Sequence, residues 1–88
     1  MRHAARVDAN QAEIVAALRA VGATVDWLKS GDDKPDLLVG YRGNNYLLEV
    51  KQPGEYPTDG QIGWITNWEG RAKVVFSAEE ALREIGAM

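Results

Sequence analysis

The stretch Pro35-Asp36-Leu37-Leu38-Val39-Gly40-Tyr41-Arg42-Gly43-Asn44-Asn45-Tyr46-Leu47-Leu48-Glu49-Val50-Lys51 decides the fold. It contains two strand-like runs, Asp36–Tyr41 and Tyr46–Lys51, on either side of Arg42-Gly43-Asn44-Asn45. Gly-Asn between two apolar runs is a hairpin signal. With Gly43-Asn44 as a two-residue turn, or with Arg42 to Asn45 as a four-residue loop, Tyr41 faces Tyr46 and Asp36 faces Lys51. Glu49 then lies opposite Leu38, diagonal to Asp36 at roughly 7–8 Å. Side chains alternate along a strand, so Asp36, Glu49 and Lys51 share one face. Leu37, Val39, Leu48 and Val50 take the other. A three-residue turn would separate Asp36 from the other two.

The flanking chain supplies the rest of the fold. Asp8 with Gln11 reads as a capping pair that opens a helix, with Ile14, Val15, Leu18 and Val21 at helical spacing and Gly22 as the stop. Thr24 to Lys29 suits a short strand, and Ser30 to Pro35 reads as a loop. Gln52 to Pro57 is a second loop. Thr58 with Gln61 repeats the capping pattern before a helix striped by Ile62, Ile65 and Trp68, and Gly70 ends it. Arg71 to Phe76 is a strand, and Ser77 with Glu80 is a third capping box, opening a helix with Ala81, Leu82 and Ile85. The order is α-β-β-β-α-β-α. An antiparallel meander followed by a helical crossover to a parallel fourth strand gives a mixed four-stranded sheet flanked by helices, an α/β sandwich.

Composition narrows the chemistry. Eighty-eight residues suit one domain, 1–88, with a tail at 1–7 expected to be flexible. There is no cysteine, and the one histidine is His3 in that tail, which excludes thiol nucleophiles, zinc–thiolate sites and a Ser-His-Asp triad. No apolar run approaches a membrane span and no signal-peptide pattern opens the chain, so no membrane partner is expected and the cytoplasm is the default compartment. Any enzyme here works with carboxylates and lysines, with or without a hard metal.

Two carboxylates converging from neighbouring strands repel unless one takes a proton or a cation sits between them. With oxygen ligands alone that cation would be Mg²⁺, Mn²⁺ or Ca²⁺. Two carboxylates and a lysine around Mg²⁺ suit attack on a phosphodiester. The competing reading is structural: Glu49 and Lys51 on a solvated strand face, with Asp36–Lys51 as a cross-strand ion pair. Against it, Leu38 and Leu47 sit among the charges, and charges on a covered face need a reason.

Pro35-Asp36, twelve residues, then Glu49-Val50-Lys51 resembles the P-D…E-x-K signature of the PD-(D/E)XK nuclease superfamily, whose core also runs α-β-β-β-α-β. The segments 8–19, 35–40 and 47–51, with Thr58-x-x-Gln61, are similar to small stand-alone VRR-NUC-type nucleases, frequent in phages and similar to Holliday-junction resolvases. The likeness spans about 8–86.

The resemblance implies that Asp36 and Glu49 are the main metal ligands, that the backbone carbonyl of Val50 completes the inner shell, and that Lys51 is the catalytic lysine. It matches Glu13 to an acidic residue that reaches the metal through water, and Gln61 to a site glutamine. Glu13 reads equally as a solvated helix charge, with Gln11 its rival for the site, and Gln61 equally as the partner of Thr58. The implied activity is Mg²⁺-dependent DNA cleavage, Mn²⁺ substituting, by a structure-selective endonuclease such as a junction resolvase or nickase. Branched or nicked DNA would be the substrate and a homodimer the working form, in the host cytoplasm if phage-encoded. The alternative is an idle nuclease fold serving as a nucleic-acid-binding or phage-assembly module.

Two departures from the family pattern bear on DNA. Asp32 and Asp33 add negative charge ahead of the motif, and no basic residue follows Lys51 until Arg71. Arg6 and Lys34 are candidate phosphate contacts. Trp64 and Trp68 could stack on bases, but packing between helix and sheet is the favoured reading. The net charge of −3 sits entirely beyond the motif, since residues 1–51 hold seven basic and seven acidic side chains and residues 52–88 three and six. The expectation is weak, metal-assisted and salt-sensitive DNA binding.

Overall fold

The computed structural model describes residues 9–28 and 31–88. Helix α1 (Ala9–Ala20) buries Ile14, Val15 and Leu18. It closes where Gly22, at φ +93°, turns the chain so that Gly22 N–H donates to Arg19 O at 3.0 Å and Ala23 N–H to Leu18 O at 3.1 Å. That paired closure needs the left-handed conformation glycine adopts without strain. Strands β1 (Thr24–Trp27), β2 (Leu37–Tyr41) and β3 (Asn44–Val50) form the meander. Helix α2 (Asp59–Asn67) crosses over to β4 (Ala72–Val75), and α3 (Ala78–Glu84) follows. The sheet order is β1-β2-β3-β4, with the first two pairings antiparallel and β3–β4 parallel, as the element order requires.

The core lies on one face. Leu37, Val39, Leu48, Val50 and Val75 meet Ile14, Val15 and Leu18 of α1 and Ala81 and Ile85 near α3, all buried. Tyr46 is buried there too, and its hydroxyl donates to Ile85 O at 3.3 Å, which satisfies the phenol. The opposite face carries Asp36, Leu38, Leu47 and Glu49 and lies under α2.

Several details differ from the sequence reading. The hairpin turns at Arg42-Gly43, both at positive φ (51° and 84°), so Tyr41 pairs with Asn44, Val39 with Tyr46 and Leu38 with Leu47. The expected Tyr41–Tyr46, Asp36–Lys51 and Leu38–Glu49 pairings do not form. Positive φ at both central residues is the geometry of a tight hairpin turn, and Arg42, with its guanidinium 5.2 Å from the Tyr41 ring centroid, adopts it. A slip of two residues keeps every side chain on its expected face. Asn44 and Asn45 therefore belong to β3.

Ser77 caps α3 by accepting from Glu80 N–H at 3.1 Å, but the Glu80 carboxylate accepts from Phe76 N–H at 2.9 Å, so the reciprocal half of the expected box is displaced by one residue. The expected cap Asp8 and the tail at 1–7 lie outside the described residues, as do Lys29 and Ser30. No α2 residue is buried. Trp64 and Trp68 stack on each other, centroids 4.8 Å apart and planes 13° apart, and Trp68 stays 47% exposed. The tryptophans roof the second face without forming a core.

Candidate active site

The corrected register brings the acidic pair closer than a diagonal would. The register ends at the Leu37–Leu48 pair; continued by one step it sets Asp36 across from Glu49, whose carboxyl feels the Asp36 charge directly. At this end of β2 the Asp36 side chain takes over from the ladder, and its Oδ2 accepts from Val50 N–H at 2.9 Å. Pro35, fully buried and without an N–H, ends the pairing there.

Glu49 is 3% exposed and is the buried charged residue among those described. Its Oε2 receives Lys51 Nζ at 3.4 Å and Gln61 Nε2 at 3.2 Å. Its Oε1 is buried with no hydrogen-bond partner. Burial pushes the Glu49 carboxyl up from its ordinary 4.5 to about 7, the adjacent Asp36 charge adds to that, and Lys51 opposes it. A carboxylate so placed is poised between holding a proton and holding a cation.

Backbone bonds fix the neighbourhood. Lys51 N–H donates to Val75 O at 3.1 Å, while Lys51 O accepts from Asn10 Nδ2 at 2.8 Å. Asn10 also donates to Phe76 O at 3.2 Å, so the first turn of α1 ties together the ends of β3 and β4. The sequence reading missed Asn10. The available signal was a polar residue four before Ile14 and eight before Leu18, in line with the buried stripe.

Gln61 unites its two readings. Its Oε1 accepts from Thr58 N–H at 2.9 Å and Thr58 Oγ1 accepts from Gln61 N–H at 3.1 Å, a complete capping box. The same amide has its Nε2 left for Glu49. The cap thus fixes the amide's rotamer, and the amide fixes Glu49 Oε2.

The remaining candidates divide. Glu13 is exposed on α1 and makes no hydrogen bond or ion pair with Asp36, Glu49 or Lys51; Gln11 is half-buried on the same helix. Among the described residues no cluster of three or more His, Cys, Asp or Glu side chains forms that could hold an ion. Lys34 pairs with Asp32 at 3.6 Å beside the α2 face of the sheet. Asp33 lies against Gly60 in the first turn of α2, where a helix N-terminus favours negative charge. Arg6 lies outside the described residues.

The donor set suits a hard divalent cation. Two neighbouring carboxylates, Asp36 just before β2 and Glu49 near the end of β3, one with an unpartnered buried oxygen, offer oxygen ligands only. Val50, whose carbonyl is the third candidate ligand, is the last residue of β3, between Glu49 and Lys51. No helix among the described residues is long and apolar enough to cross a membrane.

No protein-family model matches the sequence, and no curated protein matches it. Among solved structures, one described as a VRR_NUC domain superposes with a TM-score of 0.70 at 25% identity, covering 83% of this chain and 86% of that one. The chain therefore has the fold of a VRR-NUC domain, a nuclease fold of the PD-(D/E)XK type.

Proposed function

We propose that the chain is a metal-dependent nuclease that hydrolyses DNA phosphodiester bonds, with Asp36, Glu49 and the Val50 carbonyl holding Mg²⁺ or Mn²⁺. The observation that carries the reading is the Asp36–Glu49 pair with its unpartnered buried Oε1 and a lysine at 3.4 Å, on the fold of a VRR-NUC domain. When bound, the ion would supply Lewis-acid polarisation of the phosphate and acidify a water.

The chain's own residues do the rest. Lys51, its side chain 18% exposed, offers positive charge to a phosphate oxygen developing negative charge. Gln61 holds one Glu49 oxygen in place and leaves the other for a ligand. Asp36 joins the two strand ends through Val50 N–H, so the spacing of the carboxylates is set by the sheet. Glu13 acts through an intervening water in this proposal, with Gln11 as its rival for a place at the site.

The finer reading is a structure-selective endonuclease, a junction resolvase or nickase, working in the cytoplasm. One site cuts one strand, so paired cuts need a homodimer. The test is cleavage of linear, nicked, flap and four-way-junction DNA in Mg²⁺ or Mn²⁺. Asp36→Ala and Lys51→Ala are each expected to lose at least about 100-fold in rate, the scale of losing one main electrostatic group. Unchanged cleavage by either variant contradicts the assignment. DNA binding without metal-dependent cleavage in the wild type would favour the idle-fold alternative.

A further inference from the structure

Gln61, Trp64 and Trp68 follow one another at helical spacing down the face of α2 that meets the sheet. Gln61 stands over Glu49. One and two turns further on, the stacked indoles roof a hollow of about 530 Å³ floored by Leu38 and Leu47, with Asn45 and Lys34 at its margin. Leu47 lies two residues before Glu49 on the same strand and the same face, roughly 7 Å away. The hollow therefore opens beside the carboxylate pair, one strand repeat along.

Its chemistry is selective. The walls are mostly apolar, and Trp68 is half-exposed with its indole folded back over Gly70, where a Cβ would come within 2.6 Å of Nε1. Two cations line the hollow, Lys34, itself exposed and loosely paired with Asp32 at 3.6 Å, and Arg71, whose guanidinium lies 5.3 Å from the Tyr46 ring centroid. A flat ring system with an anion attached matches that arrangement, since aromatic side chains stack on any base and a lysine takes the phosphate.

We propose that this hollow is a subsite for an unpaired nucleobase of the strand whose neighbouring phosphate lies at Asp36 and Glu49. The proposal rests on the nuclease reading and narrows its substrate to DNA with unpaired nucleotides next to the cut. A base held within a duplex cannot enter a hollow between a helix and a sheet. A base from a flap, gap or opened junction can.

The test is read without metal or turnover. In EDTA, binding of a fluorescent ten-residue oligothymidylate is compared with that of an abasic strand of the same length and charge. The abasic strand is expected to bind about ten-fold more weakly, on the scale of one lost stacking interaction. Trp68→Leu and Gly70→Ala should each weaken oligothymidylate binding about ten-fold, and Trp68→Phe should stay within about three-fold of wild type. Circular dichroism of each variant confirms that it is folded. Equal binding of abasic and thymidylate strands, or unchanged binding by folded Trp68→Leu and Gly70→Ala, overturns the subsite. An absence of cleavage in Mg²⁺ with these binding differences intact would overturn the nuclease reading instead.

Discussion

The two faces of the sheet differ as much as two proteins might. Toward α1 and α3, aliphatic side chains close completely around Leu37, Val39 and Leu48, and the buried Tyr46 phenol is hydrogen-bonded. Toward α2, no helix residue is buried, two tryptophans stay in contact with solvent, and a carboxylate is buried with an oxygen unpaired. Packing and polar satisfaction normally improve together, and here they fail together on one face. The first face holds the chain folded. The second keeps an unmet electrostatic demand and an opening beside it, which is what a binding site requires.

Neighbours on β3 give the sharpest test of this division. Leu48 points into the core and Leu47 toward α2. Leu48→Ala should lose about 3–4 kcal/mol in urea unfolding, a large share of the stability of so small a domain. Leu47→Ala should lose about 1 kcal/mol. Equal losses would mean that α2 packs as tightly as α1.

Acidity tests the same contrast without mutation. In the unfolded chain Glu49 titrates near its ordinary 4.5, and in the folded protein near 7. The folded state therefore binds the extra proton between those values. The stabilisation from that proton is complete below about pH 4.5 and gone once the pH has risen through 7. In EDTA the protein should lose up to about 3 kcal/mol across this window. A divalent cation competes with the same proton, so Mn²⁺ affinity should rise over the same pH range, as isothermal titration would show.

Much of this division is legible in the sequence. The alternation of Leu37, Val39, Leu48 and Val50 against Asp36, Leu38, Leu47 and Glu49 gives both faces, and the P-D…E-x-K spacing gives the site. The hairpin register is not legible, because two-residue turns favour Gly and Asn, and the chain instead places Arg42 at positive φ. The period of two protected the face assignment from that error, but the error hid the direct Asp36–Glu49 opposition. Gln61 was legible as a cap and as a site residue, though sequence could not show that one amide serves both. The state of α2 was illegible for another reason. Ile62, Trp64, Ile65 and Trp68 predict burial, and only the structure shows that none of them is buried.

Gln61 gives a smaller effect that separates its two roles. Gln61→Ala should cost about 1 kcal/mol through the lost cap and should also slow cleavage. Gln61→Glu preserves the capping box, so the cap contribution to stability should be retained. Cleavage should fall nonetheless, because a third carboxylate replaces the amide that donates to Glu49. Full activity in Gln61→Glu would reduce the residue to a cap. Smallest of all, Lys34→Ala should change stability by no more than about 0.5 kcal/mol, since its ion pair with Asp32 is exposed.

The central claim is that Glu49 is buried beside Asp36 and left poorly satisfied, so that once it has lost its proton it holds a cation. The most direct measurement is the melting temperature of wild type and Glu49→Gln at pH 8, with EDTA and with Mn²⁺. Removing the charge leaves Asp36 and Lys51 as one negative and one positive group. The variant should therefore melt higher than wild type in EDTA and show no shift with Mn²⁺, while wild type rises with Mn²⁺. A Gln variant that melts lower than wild type in EDTA and still gains from Mn²⁺ would contradict the account.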